Sequence, residues 1–351
     1  MKTLRFNFLV VFIAVALLQL HASGDEFTKT VNKSFDINKD AMLKVTNKFG
    51  KIQCTNWDKN VIAVDVTITV EASSQEKANR YFDKIRIEIE GGRDNVTATT
   101  ELDDNVFDKM NNELSIDYLI SMPKSVNIDL DNKFGDIILD EVSGNSNIDL
   151  SYGNIKCKRL TGSKNILEIK FSEGYIGYIN DGELDLKYSE LDIDEVNRLN
   201  AESKFSDFEI GKADVITLES GYDDDMIGSV RDLDIEASFS DVEVRRLDER
   251  LVVDFDYGEL KVKEIGSEFS LVEIVNSFAG ANIGFEPDAS YRLVATVKMG
   301  DFNYPKEKAR LSVVDLSFTS NKYEGVVGDD PNTSSKVLID SKNSGVTLYY
   351  R

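Results

Sequence analysis

Carboxylates are the residues of this chain whose spacing could do chemistry. Asp136, Glu173, Glu190, Asp207, Asp224, Asp241, Glu259 and Asp301 each stand two residues after an aromatic residue or Met299. If equivalent residues stack, these side chains form a column, and like charges so arranged repel, modestly when solvated. A divalent cation relieves such repulsion, and calcium prefers clustered oxygen ligands. Asp223, Asp224 and Asp225 form the densest cluster and are the candidate calcium ligands. No G-G-x-G-x-D calcium-loop pattern occurs, so a solvated acidic edge is favoured over a metal site. Two carboxylates also serve as acid and base in glycosidases. A polysaccharide enzyme built on a β-helix usually carries long loops that shape a cleft, and most turns here are too short for one. No catalytic or cofactor-binding residue is assigned.

Other chemistries are excluded by composition. The only histidine is His21, inside a segment expected to be removed, so Ser-His and Cys-His pairs and histidine metal sites are ruled out in the mature chain. No G-x-S-x-G, phosphate-binding loop or dinucleotide fingerprint occurs. Cys54 and Cys157 each lie five residues after an aromatic, in a slot that suits a small apolar side chain, so two buried free thiols are expected. A disulfide between them would need Cα atoms within about 7 Å. Trp57, Tyr175, Tyr178, Tyr323, Tyr349 and Tyr350 offer a sugar- or protein-binding face, against the simpler reading that they cover core or edges. Sequons begin at Asn32, Asn95 and Asn332 and matter only in a glycosylating host.

The elements that position these residues are repeats. One aromatic marks each copy: Phe134, Tyr152, Phe171, Tyr188, Phe205, Tyr222, Phe239, Tyr257 and Phe278, with Met299 in the next slot. The spacings run from 17 to 21 residues, a short period that signifies a solenoid. In Leu233–Val244, apolar or small residues fall at −6, −4, −2, 0, +3 and +5 from Phe239. Period-two alternation predicts half-buried strands, and the slip after Phe239 predicts a corner at Ser240-Asp241. Stacked copies would form parallel strands about 4.8 Å apart with the aromatic column as the central ladder of the core. Phe and Tyr alternate without a break. Either each coil is one repeat, with an old duplication of a two-repeat unit, or each coil is two repeats and Phe stacks on Phe. The second is favoured because it gives the alternation a cause, and Phe205 directly over Tyr188 would reject it.

Around the repeats, residues 1–23 read as a signal peptide: Lys2 and Arg5, an apolar run Phe6–Leu20, then small residues. No later run is apolar enough to span a membrane as a helix. The formal charge of −22 argues against nucleic acid and anionic membrane surfaces, and fits solubility after export. Residues 24–125 form an N-terminal β-rich cap region. Within it Val45–Cys54 matches Leu130–Leu139 and is expected to pack on the first repeat as a lone early copy. Val61–Val70, Ile85–Glu90, Val96–Leu102 and Leu114–Met122 read as strands, and Asp103–Asn112 as a polar loop. One helix is predicted over residues 73–84, with Ser73 and Glu76 as a capping box and Ala78, Tyr81, Phe82 and Ile85 on one apolar face, plugging an open end of the core. Residues 126–310 carry the solenoid, and 311–351 hold closing strands: Leu311–Phe318, Val337–Ile339 and Val346–Tyr350.

The order of segments resembles a known family. The early NKFGKIQCTNW, the helix SSQEKANRYFDKI, the join SIDYLISMPKSVNIDLDNKFGDI and the F/Y-G/S-D/E repeats look like the bacterial putative-adhesin β-strand-repeat domains of unknown function, related to autotransporter-adhesin-head-like domains. The resemblance covers nearly the whole mature chain. It implies a right-handed parallel β-helix in the envelope or on the cell surface, and no catalytic residues. The expectation is therefore an exported, all-β parallel β-solenoid of about 17-residue repeats, not an enzyme, acting as an adhesin or scaffold toward a cell-surface or extracellular glycan or protein. A periplasmic ligand-binding or envelope-sensing module is the alternative, and a polysaccharide-active enzyme the third. Ligand and oligomeric state are not legible.

Overall fold

The computed structural model describes residues 25–103, 114–317 and 319–351. The expected signal peptide, residues 104–112 of the polar loop and Phe318 lie outside the described residues. Glu173–Lys187, Glu190–Lys204 and Asp207–Gly221 are three successive 15-residue strands. They pair in parallel at a constant offset, Glu173 on Glu190, Glu190 on Asp207 and Asp207 on Asp224. Each residue therefore lies on its own equivalent one repeat away, and side chains of one kind fall into columns. Ile193, Ile210, Ile227 and Val244 form one buried column, and Leu199, Ile216 and Leu233 another. Full burial of such a side chain contributes roughly 1.5–3 kcal/mol. The longest extended run, Asp224–Ile265, has 42 residues. It cannot be straight, because Phe239 and Tyr257 within it are left-handed and stack on each other 4.7 Å apart. The chain is all-β around a long, mainly parallel sheet, with Gln75–Phe82 as the one α-helix among the described residues.

The aromatic ladder exists but is not the core. Its nine rings from Phe134 to Phe278 stack at 4.7–5.1 Å with planes within 12°. Each ring is 42–55% exposed. The reason is backbone geometry: all nine residues have φ between 51° and 63°. A left-handed residue turns the chain, so the side chain at 0 points outward although both flanking strands keep their alternation. The inward positions are −6, −4 and −2 before the corner and +1, +3 and +5 after it, as at Ser240, Val242 and Val244. The corner is thus centred on the aromatic itself, one residue ahead of Ser240-Asp241. Phe205 lies 5.0 Å from both Tyr188 and Tyr222, which rejects the two-repeat coil. Stacking geometry gives no physical cause for the strict Phe/Tyr alternation.

The early copy does pack on the first repeat. Val45 pairs with Leu130, Cys54 with Leu139, and Phe49 stacks on Phe134 at 5.3 Å. Ahead of that layer, the strand Val61–Ala72 lies antiparallel between Asp25–Asp36 and Leu114–Met122. A buried polar chain ties this region together: the hydroxyls of Thr100 and Tyr118 meet at 2.8 Å, Thr100 donates to Asn47 Oδ1, and Asn47 Nδ2 donates to the Ile116 carbonyl. The helix is shorter than predicted. Its cap is Ser74, whose Oγ accepts from the Lys77 N–H at 3.3 Å, so the Ser73–Glu76 capping box does not form. Glu76 instead pairs with Arg80 one turn on. Ala78 and Phe82 are buried against the strands Val61–Ala72, Asp25–Asp36 and Ile85–Gly91.

At the other end the chain returns on itself. Lys336–Lys342 pairs in parallel with Leu271–Phe285 on one side and with Tyr291–Lys298 on the other. Met299 therefore does not follow Phe278 in the stack. Asn343, at φ 54°, takes the slot between them. Asn is among the residues that tolerate this conformation best.

Candidate functional site

The corner that exposes the rings leaves the N–H at +1 without a backbone partner, while the C=O at −1 accepts from the ring residue's N–H of the preceding repeat, as Lys187 does from Phe171 at 3.0 Å. A serine at +1 supplies the missing acceptor and gives the −1 carbonyl a second donor. Ser189 Oγ accepts from the Ser172 N–H of the preceding coil at 3.1 Å and donates to the Lys187 carbonyl of its own coil at 2.8 Å. Ser206 repeats this with Ser189 and Lys204, and Ser172 with Gly153 and Lys170. These hydroxyls are buried and bind successive corners into a ladder behind the rings. Each left-handed aromatic costs on the order of 1–2 kcal/mol. The staple and the ring stacking, each of order 1 kcal/mol, offset it. Replacing Ser189 with alanine should therefore destabilise the protein by about 1–3 kcal/mol, because the Ser172 N–H is orphaned while the Lys187 carbonyl keeps only its bond from the Phe171 N–H. Urea unfolding of Ser189→Ala against wild type checks this.

Asp223 occupies the same slot one coil after Ser206, and it breaks the pattern. Its Oδ1 accepts from the Ser206 N–H at 2.8 Å, and its Oδ2 accepts from the Gly221 N–H at 2.9 Å. Asp225 stands at +3, an inward slot filled by Leu191, Phe208, Val242 and Leu260 in other coils. Its Oδ2 accepts from Ser220 Oγ at 2.6 Å, while Oδ1 has no hydrogen-bond partner. Burial pushes the Asp225 carboxyl up to about 7, with neighbouring Asp223, Asp224 and Asp207 adding to the rise. Burial also raises Asp223, partly countered by its hydrogen bonds. Of the three candidate calcium ligands, Asp223 and Asp225 thus face inward and Asp224 outward into solvent. Among the described residues no group of three or more carboxylates, histidines or cysteines gathers where one cation could be held.

The remaining carboxylates of the +2 position do form a column. Glu173, Glu190, Asp207 and Asp224 sit in register on successive repeats, all exposed, with the amide Asn154 at the head of the column. The ring row and this acidic row are the two walls of a 1390 Å³ groove running from Tyr152 to Gly258, with the small +1 residues as its floor. The predicted site residues outside the groove are mostly half-buried. Trp57 Nε1 donates to the Val61 carbonyl, Tyr178 lies under the Arg159 guanidinium, Tyr323 packs on Phe302, and Tyr350 donates to the Ala289 carbonyl. Tyr349 is likewise half-buried, and Tyr175 is exposed with its hydroxyl on Asp194. They do not converge on one face with one another. Cys54 and Cys157 are free and buried in one column on either side of Leu139, as expected. Burial pushes both thiols up to about 12, so neither is a thiolate nucleophile at neutral pH. The serine column and the inward Asp225 were not anticipated. The signal for the column was present, since +1 is small in nearly every copy.

No protein-family profile matches the chain. No curated protein matches it either. Among solved structures, one of a putative lipid binding protein from Parabacteroides distasonis aligns at 11% identity and a TM-score of 0.35, covering 93% of this chain and 97% of the other. One of a putative adhesin from Bacteroides fragilis aligns at 10% identity and 0.28, covering 92% and 97%. One of a putative cell adhesion protein from Clostridium sporogenes aligns at 9% identity and 0.19, covering 93% and 100%. Likeness this slight carries no argument about fold or role. Among the described residues no helix is long and apolar enough to cross a membrane.

Proposed function

We propose that this chain is an exported, non-enzymatic protein of the cell envelope or surface whose rungs close as a right-handed parallel β-solenoid, and that it acts by adhesion or scaffolding toward a glycan or protein. The observation that carries the reading is the exposed row of nine stacked rings. Contiguous apolar surface of this extent on a soluble protein marks an interaction face. A row repeated at every coil presents an extended surface rather than one focal point, which suits attachment along a face.

Protease shaving of intact cells, with antibody detection of this protein, tests the reading. Loss of signal on intact cells is the expected result. Protection until the outer envelope is broken would overturn surface adhesion and favour a periplasmic binding or sensing module. Loss of a glycan-cleaving activity through one carboxylate substitution would overturn the non-enzymatic reading.

A further inference from the structure

We propose that the groove between the ring row and the carboxylate row binds an extended, lysine- and arginine-rich segment of a partner protein. The inference deepens the adhesive reading and rests on it for its cellular setting only. The groove carries uncompensated negative charge. The groove is lined by Glu173, Glu190, Asp207, Asp223, Asp224 and Asp241, and by no lysine or arginine. None of Glu173, Glu190, Asp207, Asp224 and Asp241 forms an ion pair with a lysine or arginine of the described residues. The acidic row on the other side of the ladder is different. There Glu168, Asp185 and Glu202 pair with Lys170, Lys187 and Lys204 on their own strands at 2.6–2.8 Å. The chain thus neutralises three successive carboxylates of that row internally and leaves the groove row open to an outside cation.

The shape of the ring wall suits the same occupant. The rings stack face to face at 4.7–5.1 Å, so their faces are covered and only their edges meet solvent. Sugar stacking and cation–π recognition both need a ring face. A row of edges instead suits alkyl stems, and lysine and arginine join such a stem to a cationic head. The strand backbones beside the groove already pair with the coils above and below. A partner therefore cannot add a strand here and must be read through its side chains. Seven rings from Tyr152 to Tyr257 at rung spacing span about 29 Å, the reach of about nine extended residues. A short polyamine would occupy only part of that length. A second copy of this chain would set one unpaired acidic row against another, at a net charge of −22 each.

The test uses the purified protein and a fluorescein-labelled twelve-residue peptide of alternating lysine and serine, with fluorescence anisotropy at low and moderate salt. The variant E173Q/E190Q/D207N/D224N should bind at least ten-fold more weakly and with a shallower salt dependence. The variant E168Q/D185N/E202Q, which removes three charges from the paired row, should change affinity less than two-fold. Phe171→Asn with Phe205→Asn keeps residues that accept the left-handed backbone. It should weaken binding several-fold while leaving the salt dependence unchanged. Equal losses in the two charge variants would overturn the proposal in favour of a diffuse field. So would spermidine binding as tightly as the peptide, no peptide binding at all, or self-association through the groove. Attachment of intact cells is scored separately, so a failed peptide with attachment retained removes this inference and not the adhesive reading.

Discussion

In urea unfolding at pH 8, Asp225→Val should be about 4 kcal/mol more stable than wild type, and at pH 4 the two should nearly coincide. Asp225 is 4% exposed in a slot that other coils fill with Leu, Phe or Val, and one of its oxygens has no partner. Its carboxyl is pushed up to about 7, first by burial and then by Asp223, Asp224 and Asp207. A carboxyl whose folded pKa lies above its unfolded value binds its proton more tightly when folded. Below about pH 4 both states are protonated and the term vanishes. As pH rises from about 4 to about 7 the unfolded state ionises first, and stability falls by about 1.4 kcal/mol per unit of the shift. Above about 7 the full penalty is present. Valine removes it and fills the slot in kind, while Ser220 keeps partners in Asp223 Oδ2 and Ser240 Oγ, both at 3.0 Å. A wild type whose stability is flat between pH 4 and pH 8, or a valine variant that is less stable at pH 8, would refute this. Four kcal/mol is a large share of an ordinary domain's stability.

The strands and their stacking were legible because period-two alternation and a fixed spacing both survive in the sequence. Val45–Cys54 was recognisable as a first layer because it repeats Leu130–Leu139 almost residue for residue. The ladder's place was not legible. Phe239 continues the alternation of Leu233, Ile235 and Ala237, so hydrophobicity alone puts its ring inside. What reverses it is a positive φ, which sequence usually announces with Gly, Asn or Asp at the turn. Here the announcement is one residue later, in the glycine or serine at +1. The same misplacement hid the groove, whose ring wall exists only because the rings face out. The pairing of Lys336–Lys342 between the coils of Phe278 and Met299 had no local signal, because a register between distant segments is set by packing. For the acidic triplet, Asp223, Asp224 and Asp225 read as one cluster along the chain, but an extended strand sends neighbours to opposite faces.

Gly135→Val should lose at least about 3 kcal/mol and separate the first coil from the second, while Gly280→Ala should be neutral or gain up to about 1 kcal/mol. Both glycines follow a ring of the ladder, at +1 and +2 respectively, and only space distinguishes them. A Cβ on Gly135 would lie 2.0 Å from the Gly50 carbonyl oxygen and 2.6 Å from its carbon. Backbone on both sides is held by rungs, with Ile52 on Ile137 and Lys48 on Lys133, so neither can give way without breaking pairs. The conflict repeats one coil on, where a Cβ on Gly153 would meet the Gly135 oxygen at 2.0 Å. At Gly280 the nearest atom is Glu259 Cγ at 4.0 Å, an ordinary contact, and alanine there only narrows the unfolded ensemble. Urea unfolding gives the two energies. Hydrogen exchange locates the damage, and in Gly135→Val the amides of Phe49 and Ile52, which donate to the Lys133 and Asp136 carbonyls, should lose protection first. Serine would fare no better than valine at Gly135. The hydroxyl staple of Ser189 needs a coil that holds room for a Cβ, and the Gly50–Gly135 approach leaves none. If Gly135→Val unfolds like wild type, the rungs are not as tightly paired as their register requires, and the close carbonyl approach is not what selects glycine at this corner.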